Sequence, residues 1–447
     1  MAKRFLIETF GCQMNFHDSE RMAGLLAQAG YEPTEDAADA DLIVVNTCSV
    51  REHAEDKLYS RLGELRGLRQ WSDQQNARTG RGPLIAVTGC VAQQEGTALL
   101  KRAPYVDVVL GTQALKHLPA LVERAAETRE RQVDINPYDD VSFPLGMTLR
   151  TDPVKAFVTI IEGCNDFCAF CVVPYTRGHE RMRPKADILA EVREAAANGR
   201  REVHLLGQIV NHYQAPDADG CDFTGLLEAI DEVDGIERIR FASPHPRHVT
   251  DRLIHAVRDL PKVCKHLHLP VQSGSTAVLK AMRRRHTREE YLDLVARIRS
   301  AVPEIMLSTD MIVGFPGETV EDFEATLSLV EAVQFQSMFS FKYSERPNTL
   351  AMKRMPDTVP ELEKARRLAE LQALQREIQS RIHENMVGRS CQVLVDSQSR
   401  RRSWELSGRS SGNVVVNFPG QDGWLGSLRT IAIRRAGPNS VWGEAVE

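Results

Sequence analysis

Short β-rich runs alternate with helical stretches along most of this chain, and this alternation constrains the fold more than any other feature of the sequence. In the N-terminal third, a helical pattern follows each β-rich run, and the first helix is expected over Asp18–Ala29 with Gly30 as its stop. The four expected strands are Arg4–Thr9, Leu42–Asn46, Leu84–Thr88 and Val106–Leu110. Strands and helices that alternate in this way form a parallel α/β sheet.

A second series of strands and helices follows a connector predicted for residues 128–152, where Pro137, Pro144 and Gly146 interrupt any periodic pattern. Helical patterns again separate the strands. The six expected strands are Ala156–Ile161, Val203–Leu206, Arg238–Ala242, His266–Pro270, Met306–Val313 and Ser337–Tyr343. Six β/α units predict an incomplete TIM-like barrel rather than a closed eightfold barrel.

The last part of the chain has a different pattern. Pro360 opens a long helix predicted to reach about Met386, and we expect this helix to pack two domains together. Beyond it, four short β-rich runs separated by turn residues predict a small all-β barrel; they are Gln392–Val395, Val414–Asn417, Thr430–Ile433 and Val441–Gly443. The sequence therefore predicts an α/β multidomain protein with domains at residues 1–127, 150–382 and 384–447.

Composition excludes several classes of protein. The chain has 447 residues, which is too many for one ordinary core, and it has no apolar run of the ~18 residues that a membrane span needs. The basic start is followed by only three apolar residues, which is too short for a signal peptide, so we expect a cytoplasmic protein. Nine cysteines is an odd number, which favours metal ligands, nucleophiles or buried thiols over a secreted disulfide framework.

Charge is distributed unevenly along the chain. From Arg381 to the C-terminus there are nine Arg against six acidic residues, although the whole chain has a net charge of −5. A basic module on an acidic body indicates a local nucleic-acid contact, although charge alone equally fits an ordinary arginine-rich surface. The candidate phosphate contacts are Arg400, Arg401, Arg402 and Arg409. Trp404 could stack a base, but we expect it in the core of the small barrel.

The strongest chemical signal is the set of three cysteines at Cys164, Cys168 and Cys171, directly after an expected strand. A 4Fe–4S cluster normally takes four thiolates, so three local thiols leave one iron open for another ligand. Catalytic metal sites keep such an open position, whereas structural sites are closed. Alternatives are a structural zinc site or three unrelated cysteines, and no second pair of ligands follows at the spacing that zinc fingers use.

Three further cysteines share one position in the predicted fold, because Cys12, Cys48 and Cys90 each follow one of the first three strands. If these strands are parallel neighbours about 4.8 Å apart, the three side chains meet at the carboxyl edge of the sheet, where open α/β sheets bind ligands. Gly11 and Gly89 would allow close backbone approach to a bulky ligand. The alternative is three buried core cysteines. The remaining cysteines, Cys221, Cys264 and Cys391, share no such position and are interpreted as structural.

These motifs together resemble the radical S-adenosylmethionine methylthiotransferase family. The resemblance extends over nearly the whole chain and includes the three-cysteine N-terminal domain and the stretch Cys164–Gly178. It also includes Leu269–Ser275 and Asp310–Thr319, and the tail resembles a TRAM domain, a small RNA-binding barrel. The stretches Tyr175–Arg177 and Gly207–Tyr213 are similar to the branch that acts on prenylated adenosine in tRNA.

The resemblance implies two 4Fe–4S clusters and S-adenosylmethionine as cofactors. Cys164, Cys168 and Cys171 would hold the cluster that S-adenosylmethionine chelates, and its one-electron cleavage would give a 5′-deoxyadenosyl radical. Cys12, Cys48 and Cys90 would hold the auxiliary cluster. The residues implied in contact with S-adenosylmethionine are Phe170, Gly207, Gln208, Gly314 and Gly317; Phe170 equally fits core packing, and the two last glycines also fit a simple helix start.

The implied reaction replaces a C–H bond at C2 of N6-(dimethylallyl)adenosine 37, beside the tRNA anticodon, with a methylthio group. A purine C–H bond offers no acidic proton to a general base, so a radical route is chemically reasonable. The implied partners are the tRNA anticodon stem-loop, an electron donor such as flavodoxin or ferredoxin, and an iron–sulfur or sulfur carrier protein, with no membrane.

Three rival functions stay open on the sequence. One sister branch methylthiolates threonylcarbamoyl-adenosine in tRNA, and another methylthiolates an aspartate of a ribosomal protein; both would use the same six cysteines. The third rival is a non-catalytic iron–sulfur RNA-binding or electron-transfer protein. The S-adenosylmethionine-binding motifs on a predicted barrel argue against that third function.

Overall fold

The structure is a computed structural model that describes residues 2–49, 52–75, 82–137, 148–217, 220–399 and 402–446. The chain divides into two compact units. The first unit contains Met1–Thr151, Glu162–Asp166 and Cys171–Arg181, and the second contains Asp152–Ile161, Phe167–Phe170 and Met182–Glu447.

The first unit is built on a six-stranded sheet. Its strands are β1 (Lys3–Phe10), β2 (Tyr31–Pro33), β3 (Leu42–Thr47), β4 (Leu84–Gly89), β5 (Val108–Leu110) and β6 (Gln132–Asp134). All pair in parallel, in the order β2-β1-β3-β4-β5-β6. Its helices are α1 (Gln13–Gln28), α2 (Glu52–Gln75), α3 (Cys90–Glu95), α4 (Thr97–Arg102) and α5 (Leu118–Thr128). The parallel α/β sheet predicted from the sequence is confirmed.

Apolar residues cover both faces of this sheet, as parallel sheets require. On one face Met22, Leu26 and Leu118 pack in a buried cluster, and on the other face Leu58 and Leu62 do so. Every residue of β3 is buried, which explains why the strand begins with a continuous run of Leu, Ile and Val rather than an alternating pattern.

The sequence did not predict β2 and β6. Each has only three residues and lies at one edge of the sheet, and Gln132 and Asp134 of β6 are polar. Short polar edge strands give no hydrophobic pattern, so β6 fell inside the predicted connector. Helix α1 also begins five residues earlier than expected, because its first turn carries buried polar residues, such as Asn15 and His17, rather than apolar ones.

The second unit contains the predicted β/α series. The strands from this part of the chain are β7 (Lys155–Thr159), β8 (Ile161–Glu162), β9 (Arg181–Met182), β10 (Glu202–Leu206), β11 (Arg238–Phe241), β12 (His266–His268), β13 (Met306–Val313) and β14 (Ser337–Lys342). Parallel pairing forms two triplets, β7-β10-β11 and β12-β13-β14, and a parallel bridge between Ile239 and Val263 connects the region of β11 to the chain before β12. Six parallel strands in chain order confirm the incomplete (β/α)6 barrel.

Helices alternate with these strands along the chain. They are α6 (Val173–Thr176), α7 (Lys185–Ala197), α8 (Phe223–Asp231), α9 (Asp251–Asp259), α10 (Thr276–Ala281), α11 (Arg288–Ala301), α12 (Val320–Val333), α13 (Leu350–Arg354) and α14 (Glu361–Glu384); the first of them, α6, belongs to the first unit. Thr319 and Asp322 form a capping box at the start of α12. Helix α14 confirms the predicted long helix, and its Leu371 and Ile378 are fully buried against the barrel core.

The tail forms a closed barrel of β15 (Ser390–Gln398), β16 (Glu405–Ser410), β17 (Val415–Pro419), β18 (Leu428–Ala436) and β19 (Val441–Ala445). The strand order is β15-β16-β17-β19-β18, with only β17 and β19 parallel. The sequence predicted four of these strands and missed β16, whose Glu405 and Ser410 are polar yet buried. Its one large apolar residue, Leu406, is too little to reveal a strand.

A buried ion pair ties this small barrel to the larger one. Glu202 and Arg240 are almost fully buried, and Arg240 Nε lies 2.8 Å from the Glu202 carboxylate. Burial raises the pKa of Glu202, but Arg240 and His204 outweigh it and hold that pKa well below its usual range. Arg240 Nη2 donates to the Ser410 carbonyl at 2.7 Å, and Arg238 Nη2 donates to the Gln392 carbonyl at 2.9 Å. Backbone carbonyls of the small barrel thereby satisfy buried guanidinium groups.

No helix within the described ranges is long and apolar enough to cross a membrane.

Replacing Arg240 with Ala is expected to destabilise the second unit by about 3–5 kcal/mol, because the change leaves a buried carboxylate without its main partner. The matched control is Arg252→Ala, which breaks pairs with Asp222 and Glu228 on the surface. Exposed pairs contribute at most about 1 kcal/mol. Urea unfolding followed by circular dichroism measures both changes, and equal unfolding midpoints for the two variants would contradict the expectation.

Candidate iron–sulfur sites and the C-terminal barrel surface

The first unit brings Cys12, Cys48 and Cys90 together. Strands β1, β3 and β4 are adjacent and in register, with Phe10 opposite Thr47 and Thr47 opposite Gly89. Each cysteine comes one or two residues after one of these strands. The Cys48 N–H donates to the Phe10 carbonyl at 3.0 Å, and the Cys48 thiol is within hydrogen-bond reach of both other thiols. The carboxyl edge of the sheet therefore gathers three thiols that are far apart in sequence.

The three thiols ionise unequally. The hydrogen bond from the Cys48 thiol lowers the pKa of Cys12 to about 6 and that of Cys90 to about 7. Those same two hydrogen bonds, together with burial, raise the pKa of Cys48 well above its usual range. Thiols with a lowered pKa give up their protons readily and supply thiolates, which are the form that binds a metal, so this donor set suits a metal.

Two buried amide side chains, those of Asn15 and Asn46, form a hydrogen-bonded group beside the Cys12 thiol. Asn15 Oδ1 accepts a hydrogen bond from the Cys12 thiol at 3.2 Å, and Asn15 Nδ2 donates to Asn46 Oδ1 at 3.1 Å. Asn46 Nδ2 donates in turn to the Asn15 carbonyl at 2.8 Å and to Ser19 Oγ at 2.9 Å. Sequence reasoning missed both amides. The available signal was Asn46 itself, a polar residue at the end of a buried apolar strand.

A buried guanidinium supplies positive charge near two of the thiols. Arg177 is 4% exposed, and its Nη2 lies 2.6 Å from the Asp18 carboxylate. Its charge adds to the lowering of the pKa of both Cys12 and Cys90. Gln113 Nε2 donates to the Arg177 carbonyl at 2.7 Å and so fixes this segment within the first unit. Sequence analysis named Arg177 only within a stretch that carries the family resemblance and assigned it no role.

Two glycines allow the backbone at this edge of the sheet to pack closely against its neighbours. Gly89 has a φ of +91°, and a Cβ there would lie 2.4 Å from both Asn46 Oδ1 and the Thr47 carbonyl. A Cβ on Gly11 would lie 2.7 Å from Asn15 Oδ1 and 2.9 Å from the Cys48 Cβ. The close approach expected from the sequence is therefore to the amides and backbone that support the thiols.

The donor set fits an iron–sulfur cluster in its chemistry. Three converging thiols, with a guanidinium whose charge lowers the pKa of two of them, match the thiolate ligands that clusters use. Within the part of the chain that the structure describes, no group of three His, Cys, Asp or Glu side chains is arranged to hold a single metal ion. A 4Fe–4S cube binds each thiolate to a different iron, so its ligands do not converge on one point.

The second cysteine set lies in the loop between β8 and α6, and the two compact units divide it. Cys164 and Cys171 belong to the first unit and Cys168 to the second. In the first unit the Cys164 N–H donates to the Gly178 carbonyl at 3.2 Å. Gly163, with a φ of +79°, passes so near His179 that a Cβ would lie 2.1 Å from the His179 carbonyl oxygen.

In the second unit, the middle of this loop rests on the chain that follows α10. The Ala169 N–H donates to the Met282 carbonyl at 2.9 Å, and the Ala169 carbonyl accepts from the Ala351 N–H at 2.8 Å. Arg284 Nη1 donates to the Cys168 Sγ at 3.7 Å. Sequence reasoning did not single out Arg284, because nothing in its local sequence distinguishes it from the arginines on either side.

The residues predicted to contact S-adenosylmethionine have mixed surroundings. Phe170 is half-buried and packs beside a core cluster of the second unit. A Cβ added to Gly207 would lie 3.1 Å from the Ile161 Cβ. The Gly314 N–H already has a partner, since it donates to the Glu318 carboxylate at 2.8 Å. Gly317, with a φ of +82°, has open space where a Cβ would stand. Their cofactor roles, with that of Gln208, stay predictions.

The C-terminal barrel carries a cavity of about 790 Å³ with positive side chains on its wall, among them Arg402, Arg409 and Arg435. The Arg435 guanidinium lies over the Trp442 ring, 4.2 Å from its centre, and the Trp442 Nε1 donates to Glu405. The rest of the wall includes the predominantly polar residues Lys155, Asp396, Ser397, Gln398, Ser399, Ser407, Asn417, Asn439 and Ser440. Cationic groups beside an indole ring suit a nucleotide.

The four arginines and the tryptophan considered for this surface differ in where they lie. Arg400 and Arg401 lie outside the described residues, whereas Arg402 and Arg409 line the cavity. Trp404 was expected in the core, and that expectation is wrong: its residue is 64% exposed, with the Arg402 guanidinium 5.8 Å from the ring centre. Trp404 precedes β16 by one residue, so its ring does not belong to the strands that enclose the barrel core.

The other three cysteines lie apart, as interpreted from the sequence. Cys264 is buried in the larger barrel, and burial raises its pKa. Cys391 lies on β15, and Cys221 lies in the loop before α8.

Comparison with known families agrees with this geometry. The chain matches the uncharacterized protein family UPF0004 over residues 4–111 and the Radical SAM superfamily over residues 158–330. Among solved structures, the radical S-adenosylmethionine methyltransferase TsrM from Kitasatospora setae aligns with a TM-score of 0.54 and 15% identity, covering 79% of this chain and 74% of TsrM. The cobalamin-dependent radical enzyme OxsB aligns with a TM-score of 0.53, covering 85% of this chain and 56% of OxsB. At such low identity these structures support the fold alone.

Curated relatives extend over the full length. The tRNA-2-methylthio-N(6)-dimethylallyladenosine synthase of Geotalea uraniireducens is 47% identical, covering 99% of this chain and 98% of the relative. The same enzyme of Alkalilimnicola ehrlichii is also 47% identical over 447 residues. Fold and sites define this chain as a radical S-adenosylmethionine enzyme. It belongs to the tRNA-2-methylthio-N(6)-dimethylallyladenosine synthase family.

Replacing Gly89 with Ala is expected to displace the Cys90 turn and to lower iron retention by about half, because the added Cβ would overlap Asn46 and the backbone at Thr47. The matched control is Gly30→Ala, which has a φ of +83° but nothing within 4 Å of the added Cβ. Iron and sulfide analysis after anaerobic reconstitution measures the effect. Equal iron loss in both variants would show that backbone strain, rather than the crowded turn, was responsible.

Proposed function

We propose that this chain methylthiolates C2 of N6-(dimethylallyl)adenosine at position 37 of tRNA, giving 2-methylthio-N6-(dimethylallyl)adenosine. The observation that carries the proposal is the convergence of Cys12, Cys48 and Cys90 at one sheet edge, in a chain that also has Cys164, Cys168 and Cys171 after a barrel strand. One three-thiol set serves radical generation and the other serves sulfur insertion.

The cofactors are two 4Fe–4S clusters and S-adenosylmethionine. When bound, they supply one-electron cleavage of the sulfonium and the sulfur and methyl group that enter the product. Cys164, Cys168 and Cys171 hold the cluster that S-adenosylmethionine chelates, and Cys12, Cys48 and Cys90 hold the auxiliary cluster. The chain's own contribution at the auxiliary site is to place the Cys12 thiol against Asn15, which Asn46 holds in position, and to lower the pKa of Cys12 and Cys90 with the positive charge of Arg177.

The contacts with S-adenosylmethionine that we propose are Phe170, Gly207, Gln208, Gly314 and Gly317. Because the Gly314 N–H already binds Glu318, Gly314 would serve through its φ of +71° in the turn rather than by donating a hydrogen bond. The ends of barrel strands are where cofactors bind in such folds, which supports Gly207 and Gln208 after β10.

We divide the chain by function into residues 1–127 for the auxiliary site, 150–382 for the radical core and 384–447 for RNA binding. Arg400, Arg401, Arg402 and Arg409 contact tRNA phosphates, and the cavity beside Trp442 supports this assignment. The anticodon stem-loop suits such a surface, because RNA loops are read through bases splayed onto aromatic and guanidinium groups.

Two protein partners complete the proposal. A flavodoxin or ferredoxin delivers the electron for radical formation, and an iron–sulfur or sulfur carrier protein restores the sulfur that each turnover removes. The reaction takes place in the cytoplasm, where its tRNA substrate is found. The absence of a membrane-crossing helix among the described residues is compatible with this location.

The test uses anaerobically reconstituted protein with S-adenosylmethionine, dithionite and tRNA, followed by mass spectrometry of the nucleosides. Prenylated tRNA is expected to gain the methylthio group, and the same tRNA without the prenyl group is expected to react little. Equal turnover of both RNAs, turnover of threonylcarbamoyl-adenosine, or turnover of a ribosomal protein would point to another branch.

Two triple variants are the controls for this test. Ala at Cys164, Cys168 and Cys171 abolishes formation of 5′-deoxyadenosine, because the cluster that binds S-adenosylmethionine loses its ligands. Ala at Cys12, Cys48 and Cys90 removes about half of the iron and all methylthiolation but leaves 5′-deoxyadenosine formation intact. Unchanged iron content in the second variant would remove the case for an auxiliary cluster.

Changing Arg400, Arg401 and Arg402 together to Ala is expected to weaken tRNA binding and to flatten its salt dependence by about two to three units, since each phosphate contact releases condensed counterions. The control is Arg434→Ala. Arg434 is an exposed arginine of the same barrel that pairs with Glu444 and does not line the cavity. Titrations at four salt concentrations decide the question, and superimposable log–log lines for the triple variant and the unmodified protein would exclude the phosphate contacts.

A further inference from the structure

Arg284 is a buried cation beside one of the three cysteines in the radical motif. Its residue is 7% exposed, and its Nη1 donates to the Cys168 Sγ at 3.7 Å. Its Nη2 donates to the Pro270 carbonyl at 2.8 Å, so both ends of the guanidinium have defined partners. All three residues belong to the second unit.

Backbone contacts lock Arg284 and Cys168 together. The Ala169 N–H, one residue after Cys168, donates to the Met282 carbonyl at 2.9 Å, and the Arg284 N–H donates to the Leu279 carbonyl at 2.9 Å. The two flanking arginines both have left-handed backbones, with φ of +59° at 283 and +56° at 285. Left-handed backbone is uncommon at residues other than glycine, and it clusters at active sites and ligand clamps.

The surroundings of Arg284 leave its charge largely uncompensated. Within the described residues its guanidinium forms no ion pair with a carboxylate, and its Nε has no hydrogen-bond partner. Two buried histidines, His286 and His245, are near it. Burial is the larger cause and the charge of Arg284 the second; together they lower the pKa of His286 to about 4 and also lower the pKa of His245. Both histidines are therefore neutral at neutral pH, and the Cys168 sulfur is the acceptor that lies beside the Arg284 guanidinium.

We propose that Arg284 is a positioning residue that stabilises negative charge on the Cys168 sulfur and thereby raises the reduction potential of the cluster that this cysteine binds. This inference rests on the proposed function, because it requires Cys168 to be a cluster ligand. One electron from a donor of the flavodoxin or ferredoxin class adds one negative charge, no bond is formed or broken, and the fixed guanidinium favours the more negative state. Hydrogen bonds to cluster sulfurs and local charge are known determinants of such potentials.

The test is a redox titration of the reconstituted full-length protein, followed by electron paramagnetic resonance with dithionite and mediators. The signal to follow is the reduced-cluster signal that changes when S-adenosylmethionine is added, which separates it from the auxiliary cluster. Arg284→Gln is expected to shift its midpoint to lower potential, and Arg284→Lys is expected to shift it less, since the charge remains. The matched control, Arg283→Gln, removes an exposed neighbouring charge and is expected to titrate with the unmodified protein.

Iron analysis accompanies each titration. If Arg284→Gln loses its cluster, Arg284→Met takes its place as the variant that removes the charge, and a midpoint equal to that of the unmodified protein would overturn the inference. Equal midpoints for the unmodified protein and an iron-replete Arg284→Gln variant would overturn it too, while leaving the proposed function in place. If the unmodified protein has no signal that responds to S-adenosylmethionine, the proposed function itself fails and this inference fails with it.

Discussion

The parallel, in-register pairing of β1, β3 and β4 is the constraint on which the first unit depends. Parallel strands end at the same edge, so the residues that follow them meet regardless of their separation in sequence. Cys48 lies at the centre of that edge, within hydrogen-bond reach of Cys12 and Cys90. A slip of one residue in either pairing would turn the side chains of the slipped strand to the opposite face. The thiol site is therefore a consequence of sheet register more than of any local motif.

Two of the buried arginines are each paired with a buried carboxylate. Arg177 pairs with Asp18 near the thiols of the first unit, and Arg240 pairs with Glu202 in the larger barrel. In each case further polar groups complete the hydrogen bonding, because a buried ion with an unsatisfied partner is costly. Arg284 differs, since no carboxylate accompanies it among the described residues and a cysteine sulfur lies beside it. That difference is the basis for the proposal that Arg284 stabilises negative charge on the Cys168 sulfur.

In the function that we propose, the two cysteine sets divide the chemistry between them. The set that follows one barrel strand is local in sequence, so its spacing alone indicates its ligand role. The set at the sheet edge is assembled from three distant turns and is surrounded by polar residues that a search for local motifs does not find. Separation of this kind suits a reaction with two demands, one for a strongly reducing centre and one for a sulfur source.

The sequence by itself determined the parallel sheet, the six β/α units, the long helix and both cysteine sets, because apolar periodicity and thiol spacing are written along the chain. It did not determine the edge strands β2 and β6 or the fifth strand β16, since short or polar strands carry no hydrophobic period. It also placed Trp404 in a core that the closed barrel does not extend to. Only the tertiary structure decided that Asn15, Asn46, Arg177 and Arg284 surround cysteines, because those contacts join residues from separate turns of the chain. Local patterns specify which elements form, whereas long-range packing specifies which polar groups meet.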